Sequence, residues 1–195
     1  MKLTKGTIGL IAAVVVIAMW AASAYNSMVS EQENATTALA NVQSAYQRRA
    51  DLIPNLVEVV KGYAEHEKGT FEAVVNARAK ATQVTLDPSN MTPEKLKEFQ
   101  QAQGELGAAL GRLLAVQENY PELKANENFK DLQVQLEGTE NRINEARNKF
   151  NAVVQQYNVV IRSFPKNILA GIFGFNKMDK FEADADAQSA PKVKF

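Results

Sequence analysis

The chain has 195 residues, with 22 Lys+Arg, 22 Asp+Glu, one His and no Cys. That length suits one ordinary domain with an appendage, and 46% hydrophobic with 23% charged residues excludes wholesale disorder. The missing Cys excludes disulfides, thiolate catalysis, iron–sulfur clusters and thiolate zinc sites, and zero formal net charge gives no field that draws nucleic acid.

Residues 7–24, TIGLIAAVVVIAMWAASA, carry no charge and follow Lys2 and Lys5. A run of this length matches a transmembrane helix, which needs ~20 residues to cross the ~30 Å hydrocarbon layer. Trp20 and Tyr25 stand at its far end, where amphipathic rings favour the interface. Lysines before the run, against Glu31 and Glu33 after it, place the N-terminus in the cytoplasm and the body outside it. The rival is a cleaved signal peptide, with Ala22-Ser23-Ala24 as an A-x-A-like site. The run exceeds the 7–15 residues of a signal h-region, and helical patterning continues from Tyr25 without a turn residue. Both favour a retained anchor.

The body, with a net charge of −2, has helical period almost throughout. A first helix over residues 25–49 carries Met28, Ala35, Val42 and Arg49 at intervals of seven, beside Leu39, Tyr46 and Ile53. Pro54 is tolerated in a first turn but costs ~3 kcal/mol or more inside a helix. A turn is therefore expected at residues 51–54 with Asp51 as N-cap; a straight helix kinked at Pro54 is the alternative. The second helix, residues 52–83, shows Leu56, Val60, Tyr63, Phe71, Val74 and Ala77 as one stripe. Residues 87–90, DPSN, form a loop. Thr92-Pro93-Glu94 then supplies an N-cap, a first-turn Pro and an acid at the positive dipole end. The third helix reaches residue 118 with Leu96, Phe99, Leu106, Leu110 and Leu113 inward. Pro121 stops it or forces a turn.

The fourth helix, residues 127–163, follows a capping Asn126 and stops before Pro165. Phe129, Leu136, Ile143, Phe150, Tyr157 and Phe164 recur every seven residues, alternating with Leu132, Thr139, Ala146, Val153 and Val160. These are the a and d rows of a heptad, and the row from Phe129 to Phe164 should be largely buried. The fold class expected is all-α: an antiparallel four-helix bundle with long helices and an N-terminal transmembrane helix. Its parts are the anchor (1–24), the bundle (25–165), and an apolar patch with a loosely ordered tail (166–195).

Little points to chemistry. His66 is alone, and the di-iron or zinc sites that bundles house need several ligands, so no metal and no cofactor are expected. Glu140, Arg142, Glu145 and Arg147 look like helix-face ion pairing worth tenths of a kcal/mol. Gly104, Gly107 and Gly111 suggest close helix approach, within the fold or between subunits. Two places remain. Arg48, Arg49, Asp51 and Asn55 surround the expected proline corner, either as a structural clamp or as a ligand- or peptide-binding site. Ile168, Leu169, Ile172, Phe173 and Phe175 form the apolar patch. If the helices alternate direction, this patch emerges beside the bilayer. There it can lie in the interface, with Lys166, Lys177 and Lys180 near headgroups, or fold back on the bundle.

The sequence resembles the LemA family. The resemblance rests on Tyr25-Asn26, on RRADLIPNLV at residues 48–57, and on VKGYA at 60–64 with Glu67. Ala77-Arg78, ENYPELKAN at 118–126 and Phe129 follow, then Leu132-Gln133 and LEGTENRI at 136–143. Ala146-Arg147, Tyr157-Asn158, Phe164-Pro165 and Val193-Lys194-Phe195 complete it; Phe150-Asn151 stands where the family commonly has Tyr-Asn. The resemblance implies a membrane anchor, an antiparallel helical bundle and no known enzymatic activity. It also implies kinship with proteins of the magnetosome membrane. The function expected is that of a non-enzymatic, membrane-anchored envelope scaffold or interaction module, with the binding corner as the alternative. Expected partners are the membrane, unidentified envelope proteins and further copies of the chain, not nucleic acid.

Overall fold

A computed structural model describes residues 5–88 and 91–182. Among these the elements are α1 (Lys5–Lys61), α2 (Lys68–Gln83), α3 (Pro93–Ala115), a 3-10 turn (Val116–Asn119), α4 (Pro121–Ala125), α5 (Glu127–Arg162) and α6 (Lys166–Phe173). No strand occurs among the described residues, and the protein is an all-α helical bundle with one long apolar N-terminal helix.

The expected reversal at residues 51–54 is wrong. Pro54 lies inside α1, which runs on to Lys61. The chain turns instead at Gly62, after a basic residue in the last turn of α1, a helix-stop pattern. The amides of Tyr63 and Ala64 both donate to the Val60 carbonyl, at 3.1 and 2.9 Å, and satisfy part of that helix end. His66 is exposed in this turn. The helix starts expected from caps are found. Thr92 accepts a hydrogen bond from the Lys95 amide at 3.3 Å, with Pro93 in the first turn. The Glu94 carboxyl is held below the usual range by a backbone hydrogen bond and by Thr92. Asn126 Oδ1 accepts from the Phe129 amide at 2.9 Å. Pro121 opens α4 rather than merely ending α3.

The described residues fall into two compact units, one within Met1–Ala38 and Ala152–Met178, the other within Leu39–Asn151 and Asp179–Phe195. The second unit contains parts of α1 and α5 with all of α2 and α3. Its core joins Ile53, Leu56 and Val60 of α1, Phe71 and Val74 of α2, Leu106 and Leu113 of α3, Leu123, and Phe129 and Leu136 of α5. Here α1 and α5 are antiparallel, since Arg49 pairs with Glu140 while Tyr63, just past the end of α1, accepts from Asn126, the residue before α5. The first unit packs Met28 against Tyr157, Ile161 and Ala170. Its α1 and α5 are antiparallel too, since Glu31 meets Gln156 while Ser27, earlier in α1, meets Lys166, the first residue of α6 and just past the end of α5.

The heptad row is buried at Phe129, Leu136, Ile143, Phe150 and Tyr157, but Phe164 is exposed. α5 ends at Arg162, so the register no longer governs Phe164. Near that end the inward positions are Val154, Tyr157 and Ile161, spaced by three and four as an uncoiled helix requires. For the glycines of α3, the expected close approach within the fold is not found. A Cβ at Gly104, Gly107 or Gly111 would meet nothing within 4 Å, so no helix approaches them closely within the fold. Glu140 pairs with Arg49 across helices at 2.7 Å, not with neighbours on its own face. Of the loose tail expected from Glu182 to Phe195, residues 183–195 lie outside the described residues, and the Glu182 carbonyl accepts from Gln100 and Arg147.

Candidate functional site

Residues 48–55 form no corner; they lie inside α1, toward its C-terminal end. A proline at 54 has no N–H, so the Ala50 carbonyl loses its intrahelical donor. Arg78 of α2 supplies one: its Nε donates to the Ala50 oxygen at 2.8 Å. A buried carbonyl without a partner costs about 1–3 kcal/mol, and this bond explains how α1 continues through Pro54.

Arg49 is the buried member of the pair. Its Nη1 donates to Glu140 Oε1 at 2.7 Å. Its Nη2 donates to Gln103 Oε1 at 2.6 Å and to the Gln103 carbonyl at 3.2 Å. Gln103 in turn donates to the Ala81 carbonyl at 3.1 Å. One guanidinium thus ties α1 to α3 and α5, and Gln103 extends the network to α2. The guanidinium carbon lies 5.2 Å from the Tyr46 ring centroid, a cation–π distance. Nε has no hydrogen-bond partner among the described residues. Arg49 therefore takes the clamp role. Arg48, Asp51 and Asn55 are exposed and, at spacings of three and four, share the open face of α1. Asp51 accepts from Gln47 at 2.7 Å. Arg48 and Asp51 line a shallow depression of 510 Å³ with Ser44, Gln47 and Arg142. A second hollow, of 560 Å³, lies between Gln43, Tyr46, Leu86, Phe99 and Gln103. No group of three or more metal-ligating side chains occurs among the described residues.

The N-terminal half of α1 has the opposite character. Every residue from Lys5 to Trp20 is exposed, although the stretch is long and apolar enough to cross a membrane. The core helix of a water-soluble domain would instead bury one face. Beside the end of this stretch lies α6. Its Ala170 is buried and Leu169 packs inward with Phe175. The rings of Phe173 and Phe175 meet Tyr25 edge-on, with centroids at 5.0 and 5.7 Å. Ile168, Ile172 and Phe173 remain exposed. Lys166 donates to Ser27 at 3.1 Å. Of the apolar patch, Leu169 and Phe175 pack inward while Ile168, Ile172 and Phe173 are exposed.

The composition gave no sign of one further device. Asn158 donates to the Met178 carbonyl and accepts from the Met178 amide, at 2.8 and 3.0 Å. Seven residues earlier, Asn151 does the same with Phe181, at 2.9 Å both ways. In each unit a side-chain amide holds the returning chain by both its main-chain groups. The repeat of aromatic-Asn at 150–151 and 157–158 was the available signal.

The helices and their polar ties define a class: an all-α protein whose first helix carries a membrane-length apolar stretch and whose buried polar groups serve packing. Within that class the chain belongs to the LemA family, whose model matches residues 38–195. It is 30% identical over 174 residues to magnetosome protein MamQ of Magnetospirillum gryphiswaldense, covering 80% of this chain and 64% of that protein. It is likewise 30% identical over 175 residues to magnetosome protein MamQ 1 of Paramagnetospirillum magneticum, covering 81% and 64%. Protein LemA of Metamycoplasma hominis is 22% identical over 167 residues, covering 82% and 73%. The chain thus spans 64% of the length of the two magnetosome relatives. The family and the apolar helix together mark it as a membrane-associated protein.

Proposed function

We propose that this protein is a non-enzymatic, membrane-anchored scaffold or interaction protein of the cell envelope. The carrying observation is the unburied apolar stretch of α1, continuous with a helical body. A helix that passes unbroken from bilayer to body couples the two mechanically. The lysines before the stretch favour a cytoplasmic N-terminus and an extracytoplasmic body. Kinship with magnetosome proteins supports a role in membrane organisation. Partners on this reading are envelope proteins and further copies of the chain, and net neutrality argues against nucleic acid.

The test is photo-crosslinking in intact cells from the exposed positions Arg48 and Asn55, followed by detergent extraction and mass spectrometry. The scaffold reading expects the protein in the membrane fraction, with the same envelope proteins or a second copy recovered in repeated experiments. Recovery of the protein only as an uncrosslinked soluble species would overturn it. A membrane-impermeant maleimide reports sidedness: a Cys placed at Val134 should label in intact spheroplasts. Labelling only after lysis would reverse the orientation.

A second reading uses the open face of α1. Arg48 and Arg142 share the shallow depression with Asp51, a setting suited to an acidic peptide. Arg48→Glu should abolish such binding in crosslinking from Asn55 and leave membrane association unchanged.

A further inference from the structure

We propose that α6 is a second membrane contact, lying on the bilayer surface with Ile168, Ile172 and Phe173 in the boundary between headgroups and acyl chains. The proposal rests on the reading of α1 as the anchor. It begins from an asymmetry within α6. One side of the helix packs on its own unit through Leu169 and Ala170. The other side leaves Ile168 56%, Ile172 70% and Phe173 52% exposed, and the preceding Phe164 82%. Ile168 and Ile172 are four apart and share a face. A face like this in water invites association.

The position of α6 on the anchor says what covers that face. Phe173 and Phe175 touch Tyr25, and Lys166 bonds Ser27. Residues 25–27 lie one to three positions past the apolar stretch, about 1.5–4.5 Å along the helix axis. The headgroup layer beyond the hydrocarbon is roughly 5–8 Å deep on each side. These contacts therefore set α6 at headgroup depth. Tyr25, Phe173 and Phe175 together place aromatic rings at that level, drawn from both ends of the chain. Lys166 stands at the same depth with its ammonium at the polar boundary, a favourable place beside anionic headgroups. Eight residues cannot span a bilayer, so the helix lies along the surface.

The chain has no Cys, so single-cysteine variants report unambiguously. Ile172→Cys, Val15→Cys in the anchor and Val134→Cys, an exposed residue of the other unit, are each labelled with an environment-sensitive dye. The full chain is reconstituted in phosphatidylcholine–phosphatidylglycerol vesicles with iodide on both sides. The dye at 172 should be quenched by doxyl-labelled lipid, and its iodide quenching should be several-fold below that at 134. Iodide access at 172 equal to that at 134, with no lipid effect, overturns the proposal. Protection from both quenchers overturns it too, and would show protein covering the face, a second copy included. If the dye at 15 also escapes the lipid quencher, the anchor reading itself has failed. Lipid quenching at 15 without quenching at 172 sinks only the role of α6.

Discussion

The two aromatic-asparagine pairs of α5 perform one task with different means. At Phe150-Asn151 the held residue is Phe181, whose buried ring packs 5.3 Å from Phe150 and 6.3 Å from Phe99. Arg147 lies over that ring at 5.4 Å and donates to the Glu182 carbonyl at 2.7 Å. At Tyr157-Asn158 the held residue is Met178, only partly buried, and Tyr157 adds a hydroxyl bond to the Asn176 carbonyl at 2.9 Å. The first clip is backed by apolar burial, the second by an extra hydrogen bond. A buried aromatic contributes several kcal/mol and a neutral hydrogen bond about one. Similar local motifs therefore need not hold equally well.

The largest expected effect comes from removing the apolar backing. Phe150→Ala takes away a buried ring that touches Phe181, a change that typically costs about 3–5 kcal/mol. For a protein of this size that is a fall in melting temperature of roughly 6–20 °C, measured by circular dichroism in detergent. Melting within a degree or two of the parent would mean that the ring contributes nothing to the clip or to the bundle.

Next come the asparagines themselves. Asn151→Ala and Asn158→Ala each delete two side-chain to main-chain bonds, worth about 1–3 kcal/mol together. Hydrogen exchange separates them. In Asn158→Ala the Met178 amide should exchange much faster, because its side chain is only half held. In Asn151→Ala the buried Phe181 ring should keep its own amide partly protected. Equal loss of protection at both sites would sink the distinction.

Arg78 gives a control in which the served main chain cannot leave, since Ala50 lies inside α1. Arg78→Ala should cost about 1–3 kcal/mol by orphaning the Ala50 carbonyl. In a Pro54→Ala background residue 54 regains its N–H, and the Arg78 substitution should cost clearly less. A double-mutant cycle with no coupling would show that Arg78 does not compensate for the proline.

That pair also shows what a sequence withholds. The rows Met28–Ala35–Val42 and Phe129 to Tyr157 were legible, because burial of a helix face writes its period into residue type. The caps at Thr92 and Asn126 were legible because each acts within three residues. Pro54 was misread as a corner because its compensation comes from Arg78, 24 positions away, and no local rule links them. Arg49 stood in a buried row, yet its partners Gln103 and Glu140 lie 54 and 91 positions on. The same blindness hid the clips: an asparagine on a helix face gives no sign of which strand of chain will return to it. The open face of Arg48, Asp51 and Asn55 was named from sequence, but as a turn rather than a helix surface.

The smallest effect isolates the hydroxyl that distinguishes the second clip. Tyr157→Phe keeps the ring and removes the bond to the Asn176 carbonyl. Asn176 is exposed, so water can replace the donor, and the cost should be about 0.5–1.5 kcal/mol at neutral pH. Burial raises the Tyr157 phenol above its ordinary value of 10.0, because the desolvated phenolate is disfavoured. The neutral ring is thus favoured in the folded state. Its contribution is fully present below the unfolded value and falls as pH rises past it, since the unfolded chain then sheds the proton first. The gap in stability between parent and Tyr157→Phe should accordingly narrow from pH 9 upward and reverse at sufficiently alkaline pH, where only the parent must keep a buried phenol protonated. Denaturant titrations of both proteins across that range measure it, and groups common to the two cancel. A gap that stays constant would mean that the hydroxyl ionises as freely in the fold as outside it, and that burial does not disfavour the phenolate at the second clip.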